Sequence, residues 1–234
     1  MRVAFRVEKL GHQRLYWFIL LFSCFFTLGM FRAPFLYSSH AYRKTIFQIA
    51  NLNSKGSSII CLGDSLTQGI GASPNHDFPN LLSKKLGVPI INAGVDGDET
   101  GDALNRLESD VLAKDPKLVI VELGANDFMD GQSLQKTFKN LDEIVRRIEV
   151  QGAMVVVVGI PPGFLGDTLQ RDYNRIIQKY HAAFVPKVLE GILSNPRLQS
   201  ADNLHPNDAG YALIAQRIQE VVTPLVKQDG ADNG

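Results

Sequence analysis

A chain of 234 residues with 24 basic and 24 acidic side chains carries no formal net charge. It lacks the concentrated basic excess that a nucleic-acid-binding face requires, and its length suits one α/β domain plus an appendage. The two cysteines, Cys24 and Cys61, fall in an apolar N-terminal run and in a candidate buried strand, so they do not read as a disulfide and do not identify a redox compartment.

Arg2, Arg6, Lys9 and Arg14 make residues 1–14 a basic start to an uncharged run over residues 15–31. About 17 residues is the lower limit for a membrane-crossing helix. Three readings compete here: an uncleaved signal anchor, a signal peptide cleaved near Ser39-His40-Ala41, and a lipid-modified Cys24. Arg32 and Pro34 interrupt the approach to that cleavage site, and apolar residues continue beyond Cys24. The expectation is therefore a single-pass anchor over 15–31 with the basic residues cytoplasmic and the rest of the chain periplasmic or extracellular. Secretion after cleavage is the alternative. Residues 32–56 read as a connector, with a short helix over 41–52 and a polar linker leading to the first strand. Residues 57–226 read as the folded domain and 227–234 as a tail.

Within the domain, strand and helix patterns alternate. Ile59-Ile60-Cys61-Leu62 is a continuous apolar run, as expected of a parallel strand covered on both faces. Helical leucine spacing follows over 79–86, a strand over 88–92, an amphipathic helix over 100–112 and a β-branched strand over 118–123. A long helix with charges on one face is predicted over 134–150. The next central strand, 154–160, stops at Pro161-Pro162-Gly163. Residues 173–181 and 208–222 read as helices, with a weak strand near 184–188. Such alternation argues for a parallel sheet with helices on both faces.

Four turns collect the chemistry. After the first strand comes Gly63-Asp64-Ser65, which delivers a serine to the carboxyl end of a strand, the edge where open α/β sheets bind ligands. Ser65 then sits at the start of a helix, whose free N–H groups favour an anion; the competing reading makes Asp64 and Ser65 ordinary helix caps. The turn Asn92-Ala93-Gly94-Val95-Asp96-Gly97-Asp98 lets backbone approach a substrate, with Gly97 able to offer a bare N–H. Gly124-Ala125-Asn126-Asp127 places an amide on the same edge, and the two N–H donors of Asn126 suit a developing oxyanion. Taken singly, both are also ordinary turn chemistry. Before the last helix, Asp202 and His205 stand in a loop, because Pro206 disfavours helix at the residue preceding it. There a carboxylate can bend back onto the imidazole and fix its tautomer; the alternative is a plain helix N-terminus with Pro206 in its first turn.

These four blocks, Gly63-Asp64-Ser65-Leu66, the Gly97 turn, Gly124-Ala125-Asn126-Asp127 and Asp202-Asn203-Leu204-His205, resemble those of the SGNH, or GDSL, hydrolases. Within that family the chain is most similar to the small thioesterase I/lysophospholipase and arylesterase branch. The resemblance spans about residues 57–225 and includes Phe78-Pro79 and Val121-Glu122-Leu123-Gly124, but not the N-terminal run. It implies a flavodoxin-like three-layer α/β/α fold. It also implies Ser65 as nucleophile, His205 as general base and acid, Asp202 as its orienting partner, and the Ser65 N–H, Gly97 N–H and Asn126 side chain as the oxyanion hole. Relatives of this branch commonly carry threonine two places after the glycine, where Glu99 stands here with Thr100 following, so the local hydrogen bonding there is open.

The expected activity is cleavage of a small-molecule or lipid carboxylic ester or thioester through an acyl-serine, without metal or other cofactor. Alternatives are an acetylesterase or acyltransferase acting on cell-envelope carbohydrate and, from another class, a membrane-tethered binding module without turnover. No obligate protein partner and no nucleic acid is expected; the membrane is a partner through the anchor.

Overall fold

The computed structural model describes residues 49–160 and 166–227. The anchor expected over 15–31 and most of the connector lie outside the described residues. Among those described, no helix is long and apolar enough to cross a membrane.

Five parallel strands form one sheet: β1 (Ser58–Gly63), β2 (Ile91–Gly94), β3 (Pro116–Glu122), β4 (Met154–Val158) and β5 (Ala183–Val185). Their spatial order is β2-β1-β3-β4-β5, the flavodoxin-like order of doubly wound sheets. The helices are α1 (Ser65–Gln68), α2 (Phe78–Leu86), α3 (Thr100–Asp110), α4 (Ala125–Met129), α5 (Leu134–Val150), α6 (Gly166–Tyr180) and α7 (Asp208–Lys227).

Because successive strand residues point to opposite faces, the apolar strands feed two cores. Ile60, Leu62, Val119, Val121, Val155 and Val157 pack with Leu107 of α3, Ile144 and Ile148 of α5, and Tyr173 and Ile176 of α6. Ile59, Cys61, Leu118, Ile120, Met154 and Val156 pack with Phe78 and Leu82 of α2 and Tyr211, Ile214 and Ile218 of α7. The sheet is thus covered on both sides.

The end of the connector is tied to this body. Ile49 is buried, and Asn51 Nδ2 donates to the carbonyls of Glu149 at 2.8 Å and Ala153 at 3.0 Å. Residues 50–53 form turns rather than the end of a helix.

Several boundaries depart from the sequence reading. The strand expected over 88–92 forms only at Ile91–Gly94, because Pro89 has no N–H for a ladder and the Val88 carbonyl is taken by Ser83 Oγ at 2.7 Å. α6 begins at Gly166, earlier than expected, and Leu169 of its first turns is buried. α7 runs past Pro224 to Lys227, since the buried Val222 and Leu225 hold its last turn against the sheet. The short helix α4 was not anticipated, its residues reading as a turn.

Candidate active site

The exit from β1 is built for close approach. A Cβ on Gly63 would collide with the Thr67 hydroxyl and the Glu122 carbonyl, so only glycine lets the chain turn there. Asp64 caps α1, its Oδ1 accepting from Leu66 N at 3.0 Å. Asp64 is thus a helix cap, as the competing reading held, while Ser65 is the first residue of the helix it caps.

The Asp202–His205 loop comes from the far end of the chain to meet it. His205 Nε2 lies 3.0 Å from Ser65 Oγ, and His205 Nδ1 lies 2.7 Å from Asp202 Oδ2. A carboxylate only accepts, so Nδ1 carries the proton and the neutral ring leaves Nε2 as the acceptor for the serine hydroxyl. Ser65 is 8% exposed and the His205 side chain 12%, whereas the Asp202 side chain is 43% exposed.

The loop is closed by Ser200 N donating to His205 O at 2.8 Å and by an antiparallel bridge between Gln199 and Pro206. Asp202 Oδ1 accepts from Ser200 Oγ at 2.6 Å, Leu204 N at 2.8 Å and His205 N at 2.9 Å. Partial burial opposes the charged form of Asp202, but the bonds from His205 N, Ser200, the imidazole and Leu204 N outweigh it. They hold the carboxyl well below its ordinary range.

Gly97 is knitted to the same helix. Val95 N donates to Gly63 O at 3.1 Å, Asp96 N to Gln68 Oε1 at 2.6 Å and Asn92 Nδ2 to Thr67 O at 2.8 Å. Asp98 N closes a turn on Val95 O at 3.2 Å with Gly97 at φ +80°, a conformation that favours glycine. Asn126, on α4, is 9% exposed and donates through Nδ2 to Asp98 O at 2.9 Å. Its second amide N–H remains for another acceptor.

The Glu99 substitution leaves this framework whole. Thr100 ties the turn to α4, donating from Oγ1 to Asp127 Oδ1 at 2.5 Å and from N to Asp127 Oδ2 at 2.8 Å. Glu99 instead forms a capping box with Asp102 and accepts from Gln132 Nε2 at 2.9 Å.

Sequence reasoning missed three supporting residues. Arg106 of α3 donates to Asp98 Oδ2 at 2.6 Å, to Asp110 Oδ2 at 3.0 Å and to Gly63 O at 3.0 Å, bracing the Gly97 turn against β1. Its spacing from Asp110 looks like an ordinary helix-surface pair, which hides this role. Ser200 gives no signal beyond a polar loop. Glu122 was legible in principle, as an acid ending the aliphatic run Val119-Ile120-Val121. It is 1% exposed and accepts from Thr67 Oγ1 at 2.8 Å. Burial and the nearby Asp64 push its carboxyl up, and burial raises Asp64 to about 7 despite the Leu66 N–H bond.

A serine hydroxyl on an imidazole, the imidazole on a carboxylate, and backbone and amide N–H groups around the same strand ends are the arrangement of a serine hydrolase, here carried by a doubly wound parallel sheet. Residues 61–213 match the GDSL-like lipase/acylhydrolase family, to which this chain belongs. It is 30% identical to the arylesterase of Vibrio mimicus over 76% of this chain and 95% of that protein. It is 26% identical to the thioesterase 1/protease 1/lysophospholipase L1 of Escherichia coli strain K12, over 73% of this chain and 86% of that one. The crystal structure of TesA superposes with a TM-score of 0.67 at 27% identity, covering 72% of this chain and 99% of its own.

Proposed function

We propose that the chain hydrolyses carboxylic esters or thioesters through a covalent acyl-serine on Ser65. The observation that carries this reading is the line Ser65 Oγ, His205 Nε2 at 3.0 Å, His205 Nδ1, Asp202 Oδ2 at 2.7 Å. As Ser65 Oγ attacks the substrate carbonyl carbon, His205 Nε2 takes its proton and Asp202 stabilises the imidazolium. The carbonyl oxygen becomes an oxyanion that the Ser65 and Gly97 N–H groups and the second Asn126 amide proton receive. Collapse expels the alcohol or thiol, which takes the proton from His205. Water, deprotonated by the same imidazole, then releases the acid and restores Ser65.

The names borne by relatives, arylesterase and thioesterase/lysophospholipase, support aryl esters, acyl thioesters and lysophospholipids as the substrate classes to assay first. The basic residues before the uncharged run over 15–31 support a single-pass anchor, with the catalytic domain on the outer side of a membrane. The test of the reaction is labelling of the full chain with a fluorophosphonate, with mass mapping of the adduct, beside hydrolysis of those three classes. An adduct on Ser65 with turnover of at least one class is expected. A folded protein that neither labels nor turns over is a binding module.

A further inference from the structure

Two buried acids stand behind the serine, and no step of acyl transfer uses either. Glu122 ends β3 in register with Gly63, and Asp64 directly follows Gly63. Each residue is 1% exposed. Each satisfies one oxygen, Asp64 Oδ1 from Leu66 N at 3.0 Å and Glu122 Oε2 from Thr67 Oγ1 at 2.8 Å. The other oxygens, Asp64 Oδ2 and Glu122 Oε1, are buried without a hydrogen-bond partner among the described residues. A bare acceptor in a low-dielectric interior is costly, and far more so when it carries charge.

The groups packed around the pair do not relieve it. Asp96 and Asp98 face it from the Gly97 turn and Asp127 from α4, all adding negative charge. The Cys61 thiol of β1, the Tyr173 phenol of α6 and the Tyr211 phenol of α7 feel the Glu122 charge and are themselves pushed towards their neutral forms, chiefly by burial. Asp77, capping α2, adds its charge on Cys61. Arg106 comes from α3, but two of its nitrogens are committed to Asp98 and Asp110 and the third to the Gly63 carbonyl.

We infer that Asp64 and Glu122 share one proton at neutral pH, so that the turn carrying Ser65 is backed by one negative charge instead of two. The proton removes the desolvation cost of a second charge and turns one bare acceptor into a donor. The upward displacement of both carboxyls follows from the same burial. The purpose of the arrangement rests on reading Ser65 as the nucleophile. Asp64 is adjacent to the Ser65 N–H, and a full negative charge there opposes the oxyanion that this N–H receives. The pair thus acts as a positioning and charge-limiting element, its Thr67 bond holding α1.

Infrared difference spectroscopy of the full chain in heavy water reads the proton directly. The wild type at neutral pH shows the carbonyl band of a buried carboxylic acid, which fades at alkaline pH. The band is lost or displaced in both Glu122→Gln and Asp64→Asn. It persists in Ser65→Ala, which removes hydrolysis, so failure of the catalytic reading and failure of this inference are separable. If either acid variant does not fold, Thr67→Val, which strips the hydroxyl from Glu122 Oε2, displaces the same band. A wild-type spectrum without the band, a band unchanged in all three variants, or a band that answers to one acid alone overturns the shared proton.

Discussion

Asn126 Nδ2 donates to the carbonyl of Asp98 at 2.9 Å, so one of its two amide protons braces the Gly97 turn while the other is left for a further acceptor. In the proposed reaction the same side chain supplies one oxyanion donor and sets the position of the loop offering a second. Asn126→Ala removes both effects, and kcat is expected to fall by about 10²–10³-fold, the scale for one oxyanion donor, with little change in KM. Steady-state kinetics on an aryl ester checks this; a rise in KM alone makes Asn126 a binding residue.

Ser65→Ala removes one oxygen from a turn and no core volume, so the fold survives. Its kcat and that of His205→Ala are each expected to drop by about 10⁶-fold, and the double variant should lose little more, because members of one proton-transfer unit are not additive. Losses that multiply in the double variant would place Ser65 and His205 in separate roles.

Asp202→Asn keeps the shape of the loop but gives the imidazole an amide, which can hold the wrong tautomer and cannot stabilise the imidazolium. A fall of about 10⁴-fold in kcat is expected, with the circular dichroism spectrum unchanged. The native carboxyl is held below its unfolded value, so its contribution to stability is present above about pH 4 and lost as pH falls through the lower folded pKa. Acid titration of Tm should accordingly be shallower in the asparagine variant.

Asp64 and Glu122 act on stability with the opposite sign. Their folded pKa values lie above the unfolded ones, with Asp64 near 7, so the native state binds more protons than the unfolded chain once pH exceeds about 4. Their contribution therefore declines as pH rises through neutrality. Denaturant midpoints measured from mildly acidic to mildly alkaline pH should fall in the wild type and flatten in Glu122→Gln; equal slopes refute the linkage.

Tyr211, fully buried on α7, donates its hydroxyl to the Ile70 carbonyl at 2.7 Å. Tyr211→Phe leaves that carbonyl without its donor, an expected loss of about 1–3 kcal/mol in unfolding free energy. Chemical denaturation checks this, with kcat expected to change far less than in the Asn126 variant.

Long-period signals carried most of the architecture. α5 occupies the residues its amphipathic pattern marked, Leu134–Val150, because six of its side chains are buried on one face and Ser133 caps its start. The continuous aliphatic strands were equally legible. Short elements were not: α4 is five residues composed partly of turn formers, and β2 is displaced by the chemistry of one proline. At the site, residue types with a direct chemical task stood out locally. The groups that hold them, Arg106, Ser200 and Thr67, act across 43, 2 and 55 residues of chain respectively, and their partners became apparent only after folding. Glu99 and Thr100 read alike as turn residues in the sequence, and only the folded geometry separates them, Thr100 bonding Asp127 and Glu99 bonding Gln132.

Ser65 leaves the first strand and His205 precedes the last helix, 140 residues later. Gly97, Glu122 and Asn126, which stand around the serine turn, are synthesised early, but His205 comes just before α7, whose Tyr211 and Ile214 pack on the face of the sheet beneath that turn. Contacts of such long sequence separation form late, since chain closure must be met before they contribute. A growing or truncated chain thus carries a serine with no base beside it. A chain that stops short of residue 205 is therefore expected to be inert towards the esters around it, however much of the sheet it has formed.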